Sequence, residues 1–194
     1  MSKSALRTLM AAALVLTGAS KAAAQASLTT SSPSYELSAG YQFLHLPDMN
    51  FPFGLGIDGA MHFGRLGLVA EGGWALHAEE DDVADIDFTT NMWHLAAGAR
   101  FTGFSTRPLW PYAQVLVGAA IAHASVDRAI DDDSETETAF MVQPGFGVTF
   151  VAGDGWGIFA QADLRRTFFD EPDDVEDSIN NQFRLFIGAR MILD

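Results

Sequence analysis

Residues 35–43 read YELSAGYQF, and the fold follows from this short stretch. Successive side chains of an extended chain point to opposite sides. Tyr35, Leu37, Ala39, Tyr41 and Phe43 therefore share one face, and Glu36, Ser38, Gly40 and Gln42 share the other. The period is two rather than the 3.6 of a helix. Further along the chain, the same alternation returns in residues 53–63, 66–76, 91–101, 112–123, 140–150, 156–167 and 182–193, which predicts eight strands. These seven run to 11 or 12 residues, whereas strands of ordinary globular proteins average about five or six. A tilted strand crossing a bilayer needs about 9–11.

Aromatic residues sit near the ends of the apolar faces. Tyr41, Phe43, Trp74, Trp93, Phe140 and Phe183 fall at one rim, and Tyr35, Phe63, Phe101 and Phe150 at the other, as the two interfacial girdles of a transmembrane barrel require. The connections alternate in length. Gly64-Arg65 is a tight turn, and residues 102–111 and 151–155 are modest, while 44–52, 77–90, 124–139 and 168–181 are long and read as loops. Outer-membrane barrels have short periplasmic turns and long extracellular loops. The expected fold is all-β, an eight-stranded antiparallel up-and-down transmembrane β-barrel whose N-terminus faces the periplasm.

The rest of the composition agrees. Lys3 and Arg7 precede an apolar run from Leu9 to Leu16, and Ala24-Gln25-Ala26 is a small-residue cleavage site, together the pattern of a secretory signal. Residues 1–26 are expected to be the signal peptide, cut after Ala26, and 27–194 the barrel domain, with no further domain after the eighth strand. Of the 194 residues, the mature part keeps eight arginines and no lysine against 25 acids, a formal charge of −17. Such a chain is no nucleic-acid binder, because phosphate backbones demand cationic surfaces. The absence of cysteine excludes disulfides and thiolate chemistry.

PYAQVLVGAA at 111–120, QADLRRTFF at 161–169 and NNQFRLFIGARMIL at 180–193 resemble the outer-membrane β-barrel domain family, of the OmpA and opacity type. The resemblance implies a Gram-negative outer-membrane location and recognition by the outer-membrane assembly machinery. In the family the C-terminal assembly signal ends in an aromatic residue; here Met191, Leu193 and Asp194 stand in its place.

The polar faces should point into the lumen. They carry Glu36, Asp58, Glu71 and Asp163 against Arg100, Arg165, Arg184 and Arg190, four charges of each sign. Buried charges are costly unless paired, so these eight are expected to form an ion-pair network that plugs the barrel. His62, His94, Gln42, Gln143 and Gln161 should fill the remaining hydrogen bonds. Arg190 is expected to reach Glu36, Asp163 to meet Arg184, and Glu71 to find Arg100 or His94. No catalytic residue and no cofactor are assigned, because a His–Ser–acid constellation is represented only by His123 and Ser125 at a strand end.

Eighteen of the 25 acids fall in three of the long connections. Solvation of exposed segments accounts for such runs; Asp81, Asp82, Asp131, Asp132, Asp133, Asp173 and Asp174 also make weak divalent-cation capture an expectation. The expected role is structural or surface interaction, with outer-membrane lipid and lipopolysaccharide as neighbours and an extracellular ligand unidentified. The alternatives are a narrow or gated pore for small solutes, a lipid-modifying enzyme, and a site for a small hydrophobic ligand shaped by Phe51, Phe53, Phe168 and Phe169.

Overall fold

The computed structural model describes residues 34–47, 49–81, 86–103, 108–128, 132–168 and 179–193. The expected signal peptide lies outside them. Nine strands follow one another: β1 (Ser34–His45), β2 (Asn50–Phe51), β3 (Phe53–Phe63), β4 (Leu66–Asp81), β5 (Ile86–Thr102), β6 (Leu109–Arg128), β7 (Asp132–Gly153), β8 (Trp156–Phe168) and β9 (Ile179–Leu193). Each long strand pairs antiparallel with the next, and β9 returns to β1 from Tyr35↔Leu193 to His45↔Phe183. The eight long strands thus close a barrel, and the two-residue β2 folds back on the end of β1 through Leu44↔Phe51.

The alternation read from the sequence sets the two surfaces. Leu37, Leu55, Ile57, Trp93, Leu95, Phe146, Leu164 and Ile187 are exposed on the outside, while Ser38, Gln42, Asp58, Gln143 and Gln161 are buried inside. This is the inverse of a water-soluble protein, and it requires an apolar solvent around the wall. No helix among the described residues is long and apolar enough to cross a membrane; the crossing is made by strands. Aromatic contacts run around the outer rim from Tyr41 to Phe53, from Phe53 to Trp74 and from Trp74 to Trp93, with centroids 5.9–6.4 Å apart.

At the opposite end the connections are tight. The Gly64-Arg65 turn and the Asp154-Gly155 turn each place glycine at positive φ, 69° and 81°, the conformation a two-residue hairpin needs. The connection expected over 151–155 is shorter than the sequence suggested, because β7 continues through a register shift between Val151 and Gly153.

Two of the long connections are not loops. Residues 77–81 and 86–90 continue β4 and β5 as a paired ladder up to Asp81↔Ile86, and 124–128 and 132–139 continue β6 and β7 up to Asp127↔Asp132. The expectation of loops there does not hold: solvated acids are compatible with an extended chain, the threonines, valine and phenylalanine between them favour it, and each strand finds its neighbour's hydrogen bonds. β6 and β7 are 20 and 22 residues long, about twice what a bilayer crossing uses. Among the described residues the β7–β8 ladder begins at Phe140↔Phe168 and the β3–β4 ladder at Phe53↔Leu76. Among the same residues β4 to β7 continue as a tall four-stranded sheet past those two ladders.

Candidate functional site

Two regions carry the polar chemistry of the molecule, the lumen and the tall sheet. All eight charges assigned inward are buried, the four arginines to 2% exposure or less. They divide into two neutral groups.

Nearer the short turns, the Arg100 guanidinium donates through Nη1 to Glu36 (2.9 Å) and through Nη2 to Asp58 (3.1 Å), and through Nε and Nη2 to Gln114 Oε1. Arg190 lies 3.5 Å from Glu36 and 3.6 Å from Asp58, and donates to Ser38 and Thr149. Both guanidiniums lie over the Tyr112 ring, 4.7 and 4.6 Å from its centroid, and His62 Nε2 is 3.3 Å from Glu36.

Nearer the long connections, Arg184 Nη2 stands 2.7 Å from both Glu71 and Asp163. Its Nη1 donates to Gln42 (3.1 Å), and His94 Nε2 is 3.2 Å from Glu71. Arg165 differs from the expectation of direct pairing: among the described residues it forms no ion pair, and its Nε donates to Gln143 Oε1 (2.8 Å) while Gln143 donates to Glu71 (3.0 Å). The β7–β8 ladder passes from Val142↔Arg166 to Gly145↔Asp163 without pairing the two positions between, where Pro144 cannot donate. Gln143 and Arg165 meet inside that gap.

The two groups are joined by Tyr112, which accepts from Arg190 (3.3 Å) and donates to Gln161 (2.9 Å), and Gln161 donates on to Asp163. Beside this link the Phe159 and Phe186 rings meet edge to face at 4.8 Å, with Arg190 over the first and Arg184 over the second. Leu116, Met141, Val69, Ala60, Ala96 and Ala120 form a buried apolar cluster within the lumen. Glycine makes room for these long side chains: a Cβ at Gly145 would fall onto the Asp163 carboxylate.

The expected contacts Arg190–Glu36, Asp163–Arg184 and Glu71–His94 are all present, while Arg100 goes to Glu36 and Asp58 instead of Glu71. The parts of Tyr112, Gln114, Ser38 and Thr149 were not read from the sequence. Their inward parity was the available signal. At the outer mouth Phe51 is fully buried against Leu44, Ala75 and Met92. Phe53 and Phe168 lie on the outer face against Trp74 and Phe140, and Phe169 lies outside the described residues. Among the described residues, Phe51, Phe53 and Phe168 therefore do not converge on the alternative hydrophobic-ligand pocket, because β2 turns Phe51 inward and alternation turns Phe53 outward.

On the tall sheet, His123 Nδ1 is 2.8 Å from Thr136 Oγ1, and Ser125 Oγ donates to the Thr89 carbonyl. His123 and Ser125 each have another partner. Ser134 to Thr138 are exposed, and among the described residues this segment pairs only with β6. The register sets Glu80, Asp87, Asp127 and Asp132 side by side across the four strands. Of the acids considered for cations, Asp82, Asp131, Asp173 and Asp174 lie outside the described residues, and Asp81, Asp132 and Asp133 are placed on β4 and β7 by backbone alone. Among the described residues no three metal-ligating side chains converge.

Residues 10–190 match the outer membrane protein beta-barrel domain family. No curated protein matches the chain. Among solved structures, the chain is similar to Ail, the attachment invasion locus protein of Yersinia pestis, in complex with the heparin analogue sucrose octasulfate, at 17% identity and a TM-score of 0.56, over 83% of this chain and 97% of that one. Neisserial surface protein A aligns at 16% identity and a TM-score of 0.54 over 83% and 97%, and a major outer membrane protein of Thermus thermophilus at 11% and 0.67 over 84% and 100%. With a closed antiparallel barrel, a polar buried lumen, an apolar exterior and a match over nearly its whole length, the chain belongs to the outer membrane protein beta-barrel domain family.

Proposed function

We propose that this protein is a closed, non-enzymatic barrel of the Gram-negative outer membrane that meets extracellular partners through its tall sheet. A cleaved signal peptide exports it, the assembly machinery inserts it, and phospholipid and lipopolysaccharide surround it. The height of β6 and β7 carries this reading. Strands of 20 and 22 residues extend roughly 30 Å past a bilayer crossing at about 3.3 Å per residue. Such a projection supports contact beyond the lipid headgroups. Among the described residues the β7 segment from Ser134 to Ala139 lies beyond its ladder with β8, and a sheet edge of this kind accepts an extended peptide as an added strand. Glu135 and Glu137 are exposed on it, so a cationic partner is favoured. The heparin analogue held by Ail is a polyanion, which 18 acids on the long connections of this chain would repel.

The lumen supports a structural rather than a conducting role, since side chains lining a water-filled channel would be wetted and the four arginines are not. The separate partners of His123 and Ser125 support a non-catalytic role. The test is binding of extended Lys/Thr-alternating peptides to the folded protein in detergent. Salt-sensitive binding is expected, weakened when Glu135 and Glu137 are replaced by lysine and lost when residues 124–135 are replaced by a two-residue turn. Binding that survives the excision, single-channel steps in planar bilayers, or altered lipid A masses in expressing cells would overturn the reading.

A further inference from the structure

The β7 border of the tall sheet has a definite hydrogen-bonding phase. In an antiparallel ladder both backbone groups of a residue point to the same neighbour, and alternate residues serve opposite neighbours. The Val151 amide donates to the Pro108 carbonyl at 2.8 Å, and from there the β6–β7 register continues without a shift from Leu109↔Phe150 to Asp127↔Asp132. Odd-numbered positions of β7 therefore bond to β6, and even-numbered ones turn toward β8. Pro144 agrees: it has no N–H, and the β7–β8 ladder is interrupted there. Past Phe140↔Phe168, the amides and carbonyls of Ser134, Thr136 and Thr138 thus point away from β6, and no strand among the described residues takes them.

The side chains of this border separate by charge. Ala139 and Met141 are buried inside and Phe140 is exposed outside, so alternation sets Glu135 and Glu137 on the inner face and Ser134, Thr136 and Thr138 on the outer one. All five are exposed. On β6 the two glutamates have only Ala124 and Ala122 opposite them, which offer no cation. For a strand added antiparallel to the border, Glu135 and Glu137 occupy the pairs without mutual hydrogen bonds, where Cα atoms approach to about 4.5 Å and side chains are closest. The carboxylates are therefore placed to select the side chains of an added strand, and the three hydroxyl residues to bond its backbone.

We infer that this border takes an antiparallel extended segment with a basic residue at every second position, its cations opposite Glu137 and Glu135 and its intervening residues hydrogen-bonded to Ser134, Thr136 and Thr138. The inference rests on the proposed contact with cationic partners and specifies their pattern, since adjacent basic residues of a strand point to opposite faces. Fluorescence anisotropy with the folded protein in detergent compares the capped, labelled peptide Thr-Lys-Thr-Lys-Thr with its isomer Lys-Lys-Thr-Thr-Thr, of equal charge. The alternating peptide should bind about threefold more tightly, the scale of one cross-strand charge pair, and Glu135→Gln together with Glu137→Gln should erase that preference. N-methylation of the central threonine, whose amide meets Thr136, should weaken binding more than about tenfold by removing a ladder hydrogen bond and forcing the strands apart. N-methylation of the lysines, whose amides point away from β7, should leave binding within about twofold. Thr138→Pro deletes an N–H on the open border, where proline is tolerated; it should weaken the peptide while boiling-dependent gel mobility shows the barrel folded. Equal binding of the two isomers, undiminished binding to Thr138→Pro, or loss on methylating the lysines rather than the threonine would overturn the inference and leave the cationic contact standing. Binding of neither peptide would overturn both.

Discussion

Arg184 holds two carboxylates at once, with Glu71 and Asp163 each 2.7 Å from the same Nη2. Removing one partner of a buried pair leaves an uncompensated charge and costs about 3–5 kcal/mol. Arg184→Ala strands two carboxylates and should lie at or above the top of that range, read as a lowered urea midpoint in detergent or lipid. Arg165 provides the internal control. It is equally buried but holds only Gln143, so Arg165→Met removes a buried cation without stranding a directly paired acid. A loss well below that of Arg184→Ala is expected. Equal losses would mean that Arg165 balances Glu71 through Gln143 as strongly as a direct contact would.

Among the elements, the tall sheet sets acids against acids. Like charges directly opposite in a sheet destabilise it, yet Asp87 is a register neighbour of both Glu80 and Asp127, and Asp127 of Asp132. Repulsion over the roughly 8 Å screening length of physiological salt is only partly damped. Hard divalent cations, which take several oxygen ligands, relieve it. Calcium at several millimolar should therefore raise the melting temperature of the β4–β7 projection more than sodium chloride of equal ionic strength, with the difference abolished when Asp87 and Asp127 become asparagine. Equal shifts with the two salts would leave the acids as solvated charges alone.

Around the complete barrel, β9 pairs with β1 along eleven positions, so the wall has no lateral edge at membrane height from which unfolding could fray. The folded protein should resist dodecyl sulfate at room temperature and change gel mobility only after boiling, with strand-type circular dichroism before it. A mobility that boiling does not alter would contradict the closed wall.

The barrel is legible in the amino-acid order alone. Alternation along residues 35–43 and seven further stretches assigned each side chain to lipid or lumen, and a one-residue slip would have exchanged every face. The identity of the inner charges is legible too, because parity placed Glu36 with Arg190 and Asp163 with Arg184 on the inner wall. How those charges are shared depends on the closed ring. Arg184 and Glu71 are 113 positions apart in the chain, and no local pattern shows that one long side chain reaches across to a distant strand while Arg165 stops at Gln143. The strand character of residues 77–81 and 132–139 likewise comes from three-dimensional pairing. Their acids read as solvated loops, but a strand's hydrogen bonds come from its neighbour, and only the register shows that 77–81 find theirs on 86–90 and 132–139 on 120–127.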